Sequence, residues 1–380
     1  MALPLPLVEQ GTAGRVLIEE YNRLERCLPA SDGAAPGLIV AMPPAWANKY
    51  QLLLYTAAAR HRQAVVGVRG PADLEHISWP GPITLHAHWF ASIFDGALNE
   101  ADAMARLAQA QDQIETFRAR TGARLLWTAH NVFPHGNAYP ETFLELRRWI
   151  FERFDLLHVM EDDHVELLEE AYGRKAPPSF TVPHMTYDGT VLDSLDPMAA
   201  RAHFGIAHDA FVFGFFGSLQ DYKNLPRLMQ DFTVLQQQAT RPLALVLGGL
   251  PVDPDCGRDL QQRWGGQPGV TLLTRKIEDH EIQYLHRASD VMVLPYAETL
   301  NSGAAMMAAS FRTPFLTPAA SAKGLSRAGG IGFDREAPDG LREAMQACLV
   351  SPPAAPEETA LADLAPRHVS ELFFQALNDA

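Results

Sequence analysis

Short apolar runs alternate along the chain with stretches whose apolar residues recur every three or four positions. In the first half, GLIVAM (37–42), QAVVGV (63–68), PITLHAHW (82–89), ARLLWTAHN (123–131) and DLLHVM (155–160) have the length and continuity of buried strands. Between them the periodicity turns helical: across 97–118, Leu107, Ala110, Ile114 and Phe117 fall on one face. The second half repeats the alternation with FVFGFFG (211–217), LALVLGG (243–249), VTLLT (270–274), VMVLPY (291–296) and PFLTP (314–318). Strands alternating with helices predict parallel sheets assembled from βαβ units. The Pro-, Asp-, Ser- and Thr-rich stretch 175–200 reads as a linker. The expected fold is therefore α/β, with two doubly wound, Rossmann-like domains over 1–190 and 191–365 and a closing segment over 366–380. A ligand site is expected in a cleft lined by the carboxyl ends of both sets of strands. A further helix is expected around RVLIEEYNRLERCL (15–28), and no role can be assigned to residues 1–35.

Composition narrows this picture. A net charge of −14 excludes general attraction to nucleic acid or to anionic lipid, although a local basic patch could still provide either. Cys27, Cys256 and Cys348 are far apart and form no CxxC pair, which fits a reducing compartment without disulfides or a zinc knuckle. The start MALPLPLVEQ has no basic region followed by a long apolar core, and no apolar run approaches the roughly 20 residues that span a bilayer. A cytoplasmic protein is expected, with loose attachment to the inner face of a membrane left open.

Candidate chemistry collects where strands end. LHAHW puts His86 and His88 on one side of a strand, because side-chain direction alternates with period two. WTAHNVFPHG puts His130 and Asn131 at a strand end with His135 beyond, and TVPHMTY adds His184 and Tyr187. Such histidines serve as donors to a sugar or phosphate, or as a general base near neutral pH; each also has a plain reading as a packed histidine bonded to backbone. The HxH pair His86/His88 raises a metal-dependent hydrolase as a rival. That reading needs a carboxylate ligand as well, and the nearest candidate, MEDDH (160–164), reads better as a helix start capped by Asp162 or Asp163. In the second half, FFGSLQDYKN (215–224) passes from a strand through Gly217 and Ser218 to Lys223 at the mouth of a helix, an arrangement suited to an anion. YAETLNSGAAMMAAS (296–310) places Glu298, Asn301, Ser302 and Gly303 ahead of another helix, capped by Asn301 or Ser302, with Met306 and Met307 as core.

Taken in order, WTAHNVFPHG, VPHMTY, FFGSLQDYKN, LHRASDVMVLPYAETLNSG and SFRTPFLTP resemble the GT-B nucleotide-sugar glycosyltransferases, in particular the family-4-like group. The resemblance covers nearly all of the chain after residue 36. NKYQLLLY (48–55) is similar to the opening helix of the acceptor-binding domain in bacterial members, and RHVSELFFQALND (367–379) to the family's helix that crosses back onto that domain. It implies a nucleotide-sugar-binding domain over 191–365. Lys223 would meet the diphosphate, and Glu298 would match the first acid of a paired-glutamate motif. Asn301, Ser302 and Gly303 would lie by phosphate or sugar, and Ile277 in RKIED (275–279) would lie by the base.

Two positions depart from the family-4 pattern. The second glutamate would fall at Met306 or Met307, and the arginine that often follows the phosphate-loop glycine is Ser218. The resemblance then turns toward the bacterial exopolysaccharide β-mannosyltransferases of the xanthan type, which invert and use GDP-mannose, and whose acceptors are saccharides or polyprenyl-linked saccharides. A retaining family-4 enzyme with a UDP-sugar donor is the alternative. In the inverting case His130 is the first candidate for the base, followed by His88 and His135, with Asn131, His184 and Tyr187 on the acceptor side. Neither a cofactor nor a metal is expected. A non-catalytic sugar- or nucleotide-binding module is a third possibility.

Overall fold

The computed structural model describes residues 5–27, 35–44, 48–134, 138–296 and 300–380. The chain forms two compact units, Met1–Met185 with Pro366–Ala380, and Thr186–Ala365.

In the first unit six strands form one parallel sheet: β1 (Gly37–Met42), β2 (Gln63–Gly67), β3 (Ile83–Ala87), β4 (Arg124–Thr128), β5 (Leu156–Val159) and β6 (Ser179–Thr181), in the order β2-β1-β3-β4-β5-β6. All residues of β1 are buried, as a parallel strand with both faces covered requires. The helix Glu100–Thr121 shows how local chemistry sets its bounds. Asn99 accepts a hydrogen bond from the Asp102 N–H at 3.0 Å, and Gly122 ends the helix at φ 67°. Its buried face is the stripe read from the sequence, Leu107, Ala110, Ile114 and Phe117, extended by Ala103.

The second unit has β7 (Phe211–Phe216), β8 (Leu243–Gly248), β9 (Val270–Leu273), β10 (Val291–Val293), β11 (Phe315–Pro318) and β12 (Gly330–Phe333), in the order β12-β11-β10-β7-β8-β9. Strand order reverses direction between β1 and β3 in the first sheet and between β7 and β10 in the second. At such switch points neighbouring loops leave in opposite directions and open a crevice at the carboxyl ends.

The sequence expectations for β6 and β12 were absent, and both strands are sheet edges. β6 has only three residues, two of them exposed, and β12 carries two glycines. The N-terminal segment also finds a place. Val8 donates to Gly67 O and Gly67 donates to Pro6 O, each at 2.8 Å, so residues 6–8 seal the outer edge of β2. The helix Ala13–Cys27 buries Val16, Leu17 and Leu24 and packs against β2. The helix His164–Tyr172 begins after Asp163, but the Asp163 side chain makes no capping bond, contrary to the expected aspartate cap. No helix among the described residues is long and apolar enough to cross a membrane.

The helix Pro366–Asp379 belongs to the first unit and packs on the short helix Lys49–Leu54, which Asn48 caps by accepting from the Tyr50 N–H at 2.9 Å. Ser370, fully buried, donates to Leu54 O at 2.6 Å and accepts from the Ala57 N–H at 2.9 Å. Both backbone groups lie where a helix has ended, so the serine hydroxyl replaces lost helical partners. Ser370→Ala leaves them unsatisfied in a buried place. It is expected to lower the stability of the first unit by about 1–3 kcal/mol, measured by urea unfolding.

Candidate active site

Two groups of polar side chains stand at the carboxyl ends of the sheets, one in each unit. In the first, His86 lies on β3 and His88 just beyond it, both buried. Tyr55, at the end of the helix Lys49–Leu54, bridges them: its hydroxyl is 2.8 Å from His86 Nδ1 and 2.8 Å from His88 Nε2. His86 Nε2 meets Thr128 Oγ1 at 2.7 Å, and Thr128 Oγ1 meets His158 Nδ1 at 2.9 Å. Thr128 and His158 are register partners on β4 and β5, so the contact follows from strand pairing. His158 Nε2 bonds to Val182 O at 3.0 Å. At the other end His88 Nδ1 lies 3.0 Å from His130 Nε2, and the His130 ring stacks on Trp89 with centroids 4.2 Å apart. Tyr50 packs between His130 and His184, at ring-centroid distances of 5.3 and 4.7 Å, and His184 Nδ1 bonds to Met185 O at 2.7 Å.

Every ring nitrogen of His86 and His88 therefore has a protein partner, which removes the geometry a metal-binding HxH pair needs. Among the described residues no group of three or more His, Cys, Asp or Glu is placed to hold a metal ion. Burial holds all these imidazoles neutral. His86, His88 and His130 are driven well below their ordinary 6.5, first by burial and then by neighbouring imidazoles, and burial brings His158 and His184 to about 4. His130 is only half-buried and so marks the solvent end of the cluster.

Arg147 lies next to this end. It is 4% exposed, its guanidinium sits over the Trp127 ring at 4.6 Å, and it makes long contacts with Val132 O (3.3 Å) and Asn131 Oδ1 (3.4 Å). Its Nη1 has no hydrogen-bond partner, and among the described residues it makes no ion pair. This cation is one of the influences that lower His130. Asn131 is thus an Arg147 partner, outside the histidine chain. His135 lies outside the described residues.

In the second unit the loops after β7 and β10 flank the switch point. Gly217 leaves β7 at φ 149°, a conformation that disfavours side chains, and its carbonyl would lie 1.7 Å from a Cβ on Gly249. Glycine is needed at both positions for the two loops to pass. Ser218 accepts a hydrogen bond from Gln220 Nε2 at 2.8 Å. Lys223, 8% exposed, ends a short 3₁₀ turn, and Asn224 in the left-handed conformation starts the helix Leu225–Gln238. The Lys223 ammonium lies 3.6 Å from the Tyr296 ring centroid and 4.6 Å from that of Tyr222. Burial is the main influence on it and lowers its pKa. Among the described residues it makes no ion pair.

The helix Gly303–Ser310 opens beyond β10. Of the two expected caps it is Ser302 that serves, accepting from the Ala305 N–H at 3.2 Å. A Cβ on Gly303 would come within 2.9 Å of the Tyr187 hydroxyl. Tyr187 thus belongs to the second unit and lies over this helix start, its backbone N–H held by Ser310 Oγ at 2.7 Å. Met306 and Met307 are buried core, as read from the sequence. Asn301 is half-buried, and Glu298 lies outside the described residues. Ile277 follows β9 and lines a cavity of about 170 Å³ together with Leu273, Arg275, His280, Glu281 and Tyr284.

Sequence reasoning missed Tyr55, Thr128, His158 and Arg147. Thr128 and His158 carried a signal in hindsight, each a polar residue inside an apolar run that forms a strand, whereas Tyr55 ends a helix and carried none. Arg147 sits in the apolar stripe of Phe143, Leu146, Ile150 and Phe151, where a charged residue is at odds with the pattern.

The chain matches no known family's sequence model. The D-inositol 3-phosphate glycosyltransferase of Stackebrandtia nassauensis is 30% identical over 226 residues, 55% of this chain and 50% of that protein. The chain thus spans about half the length of this curated relative. Three solved structures share the architecture over nearly their whole length. Sucrose-phosphate synthase from Thermosynechococcus elongatus has a TM-score of 0.61 at 15% identity, over 90% of this chain and 94% of that one. HepE from Anabaena, in complex with UDP and glucose, has a TM-score of 0.63 at 15% identity, over 90% and 99%. The UDP-forming α,α-trehalose-phosphate synthase from Burkholderia xenovorans, in complex with glucose-6-phosphate, has a TM-score of 0.60 at 13% identity, over 90% and 99%. The fold is the two-domain GT-B fold.

The neutral histidine cluster makes stability depend on pH. Folded His158 takes up a proton only near pH 4, whereas its unfolded counterpart does so near 6.5. The unfolded state therefore binds more protons between these values. Stability is complete above 6.5 and is lost as pH falls toward 4. His158 alone accounts for about 3 kcal/mol of that loss. Urea midpoints followed from pH 7 to 4 should fall across this window, and His158→Phe should flatten the fall.

Proposed function

We propose that the protein transfers a sugar from a nucleotide-diphosphate sugar to a hydroxyl group of a saccharide acceptor. The observation that carries this reading is the buried Lys223 ammonium, set between two tyrosine rings at the switch point of the second sheet. A cation kept there without an ion-pair partner among the described residues suits an anionic ligand. The start of the helix Gly303–Ser310 adds its first-turn backbone N–H groups beyond β10, at the same end of the sheet. The relative and the GT-B structures support the same class of reaction.

In this reading the bond from the sugar's anomeric carbon to the diphosphate breaks as the bond to the acceptor oxygen forms. Negative charge grows on the departing diphosphate, and Lys223 and the helix N–H groups of Gly303 stabilise it electrostatically. In an inverting enzyme His130 accepts the acceptor hydroxyl proton, its depressed pKa leaving it unprotonated at neutral pH. In a retaining enzyme the same histidine contacts the donor sugar. We infer a UDP-sugar donor: HepE is solved with UDP-glucose and the trehalose-phosphate synthase is UDP-forming, and GDP-mannose has no such support. Ile277 and its cavity would receive the base. The acceptor is read as a sugar or sugar phosphate by analogy with the glucose and glucose-6-phosphate of those structures. A polyprenyl-linked saccharide used at the inner membrane face is the alternative. The reaction is read as metal-independent, since His86 and His88 are committed to hydrogen bonds.

Purified protein incubated in EDTA with a panel of UDP- and GDP-sugars should release the nucleoside diphosphate from a UDP-sugar, and NMR of the product anomer then decides between inversion and retention. No binding or turnover of any donor would sink the proposal. Lys223→Ala is expected to lower kcat/KM by about a hundredfold or more, with most of the loss in kcat.

A further inference from the structure

We infer that the buried hydrogen-bond chain running from Val182 through His158, Thr128, His86, Tyr55 and His88 fixes the tautomer of His130, putting its proton on Nε2 and its lone pair on Nδ1. The inference rests on the reading of His130 as the group that meets the acceptor. It makes Thr128 and His158 positioning residues for a nitrogen they do not touch.

The direction of the chain follows from one end. A neutral imidazole has one N–H and one lone pair, and a hydroxyl has one proton to donate. The Val182 carbonyl can only accept, so His158 carries its proton on Nε2 and donates it there at 3.0 Å. Its Nδ1 must then accept, and Thr128 spends its single proton on that bond. Toward His86 the Thr128 oxygen can only accept, so His86 donates from Nε2. His86 Nδ1 is thereby an acceptor, and the Tyr55 hydroxyl donates to it. Tyr55 in turn accepts from His88 Nε2–H. His88 Nδ1 keeps a lone pair, which receives His130 Nε2–H at 3.0 Å. Each assignment leaves one choice for the next, and the last leaves the His130 lone pair on Nδ1.

The opposite direction satisfies every internal link equally well. It fails at the start, where a His158 lone pair would face the Val182 carbonyl at 3.0 Å with no proton between them. The bond that decides the tautomer is therefore five links away from His130. His86, His88, Thr128 and His158 are each at most 1% exposed, so water has little chance to supply an alternative partner along the way. Phe373 stacks on His86 with ring centroids 5.4 Å apart and covers the chain. Burial also keeps each ring uncharged, the condition on which the one-proton argument depends. A proton taken up on Nδ1 leaves every link in place.

The test is long-range ¹H–¹⁵N NMR on the full-length protein labelled at histidine ring nitrogens. In the wild type, His130 Nδ1 should show the shift of a lone-pair nitrogen and Nε2 that of an N–H. His158→Phe keeps an aromatic ring but removes the anchor, so the two His130 shifts should converge or exchange. Thr128→Val should do the same, and Thr128→Ser should restore the wild-type pattern. If sugar transfer is observed, Thr128→Val should reduce kcat about tenfold or more and leave the donor KM within roughly twofold. A wild-type His130 protonated on Nδ1 overturns the inference, as do unchanged shifts in folded Thr128→Val. The wild-type spectrum decides even if a variant fails to fold. A protein with the expected tautomer and no transferase activity would uphold the chain's role and overturn the functional reading alone.

Discussion

A parallel sheet covered on both faces leaves polar side chains few places to go. Along β1 and β8 every position is buried, and each strand pairs with a neighbour on both sides. Ionisable groups survive where the strands run out, and there only if their hydrogen-bonding capacity is used. The two units meet this constraint in different ways. The first fills the carboxyl end of its sheet with neutral donors and acceptors that satisfy one another. The second keeps a cation there and holds it by the faces of aromatic rings.

The contrast follows from charge. An imidazole gives up its proton when burial makes the charged form costly, and it can then serve as both donor and acceptor. A row of such groups is self-sufficient, which is why five side chains can stand almost wholly out of water between Val182 and His130. Lysine resists neutralisation far more, and the ring faces of Tyr222 and Tyr296 offer attraction without adding a negative charge that would compete with a ligand. Arg147 is the harder case: buried, over Trp127, with an unsatisfied Nη1. Its nearness to His130 ties the electrostatics of that imidazole to a residue distant in sequence.

Much of this was legible in the chain. Ten of the strands follow from continuous apolar runs, because burial on both faces imposes a composition that a short window can detect. β6 and β12 escaped because an edge strand needs no such composition. At the candidate site, glycine at 217 and the Ser302–Gly303 step were readable because each answers a local backbone need, and lysine at 223 because it stands just before a helix start. The histidines were readable as polar interruptions at strand ends, but their connections were hidden. Tyr55 joins His86 to His88 from another element, and the Thr128–His158 contact depends on the register of β4 against β5. Pairing across strands is a property of the folded sheet, and no window along the sequence contains it.

The helix Pro366–Asp379 adds a consequence in time. It completes the first unit, yet the ribosome makes it only after the whole of Thr186–Ala365. At ordinary rates of synthesis that is a delay of about ten to forty seconds. During this interval the nascent first unit lacks Ser370 against Leu54 and Ala57, and Phe373 over His86. Until then the histidine chain lacks the ring that stacks on His86. The helix whose ring covers the polar end of the first sheet is thus made after the second unit, and the first unit is complete only once it has been added.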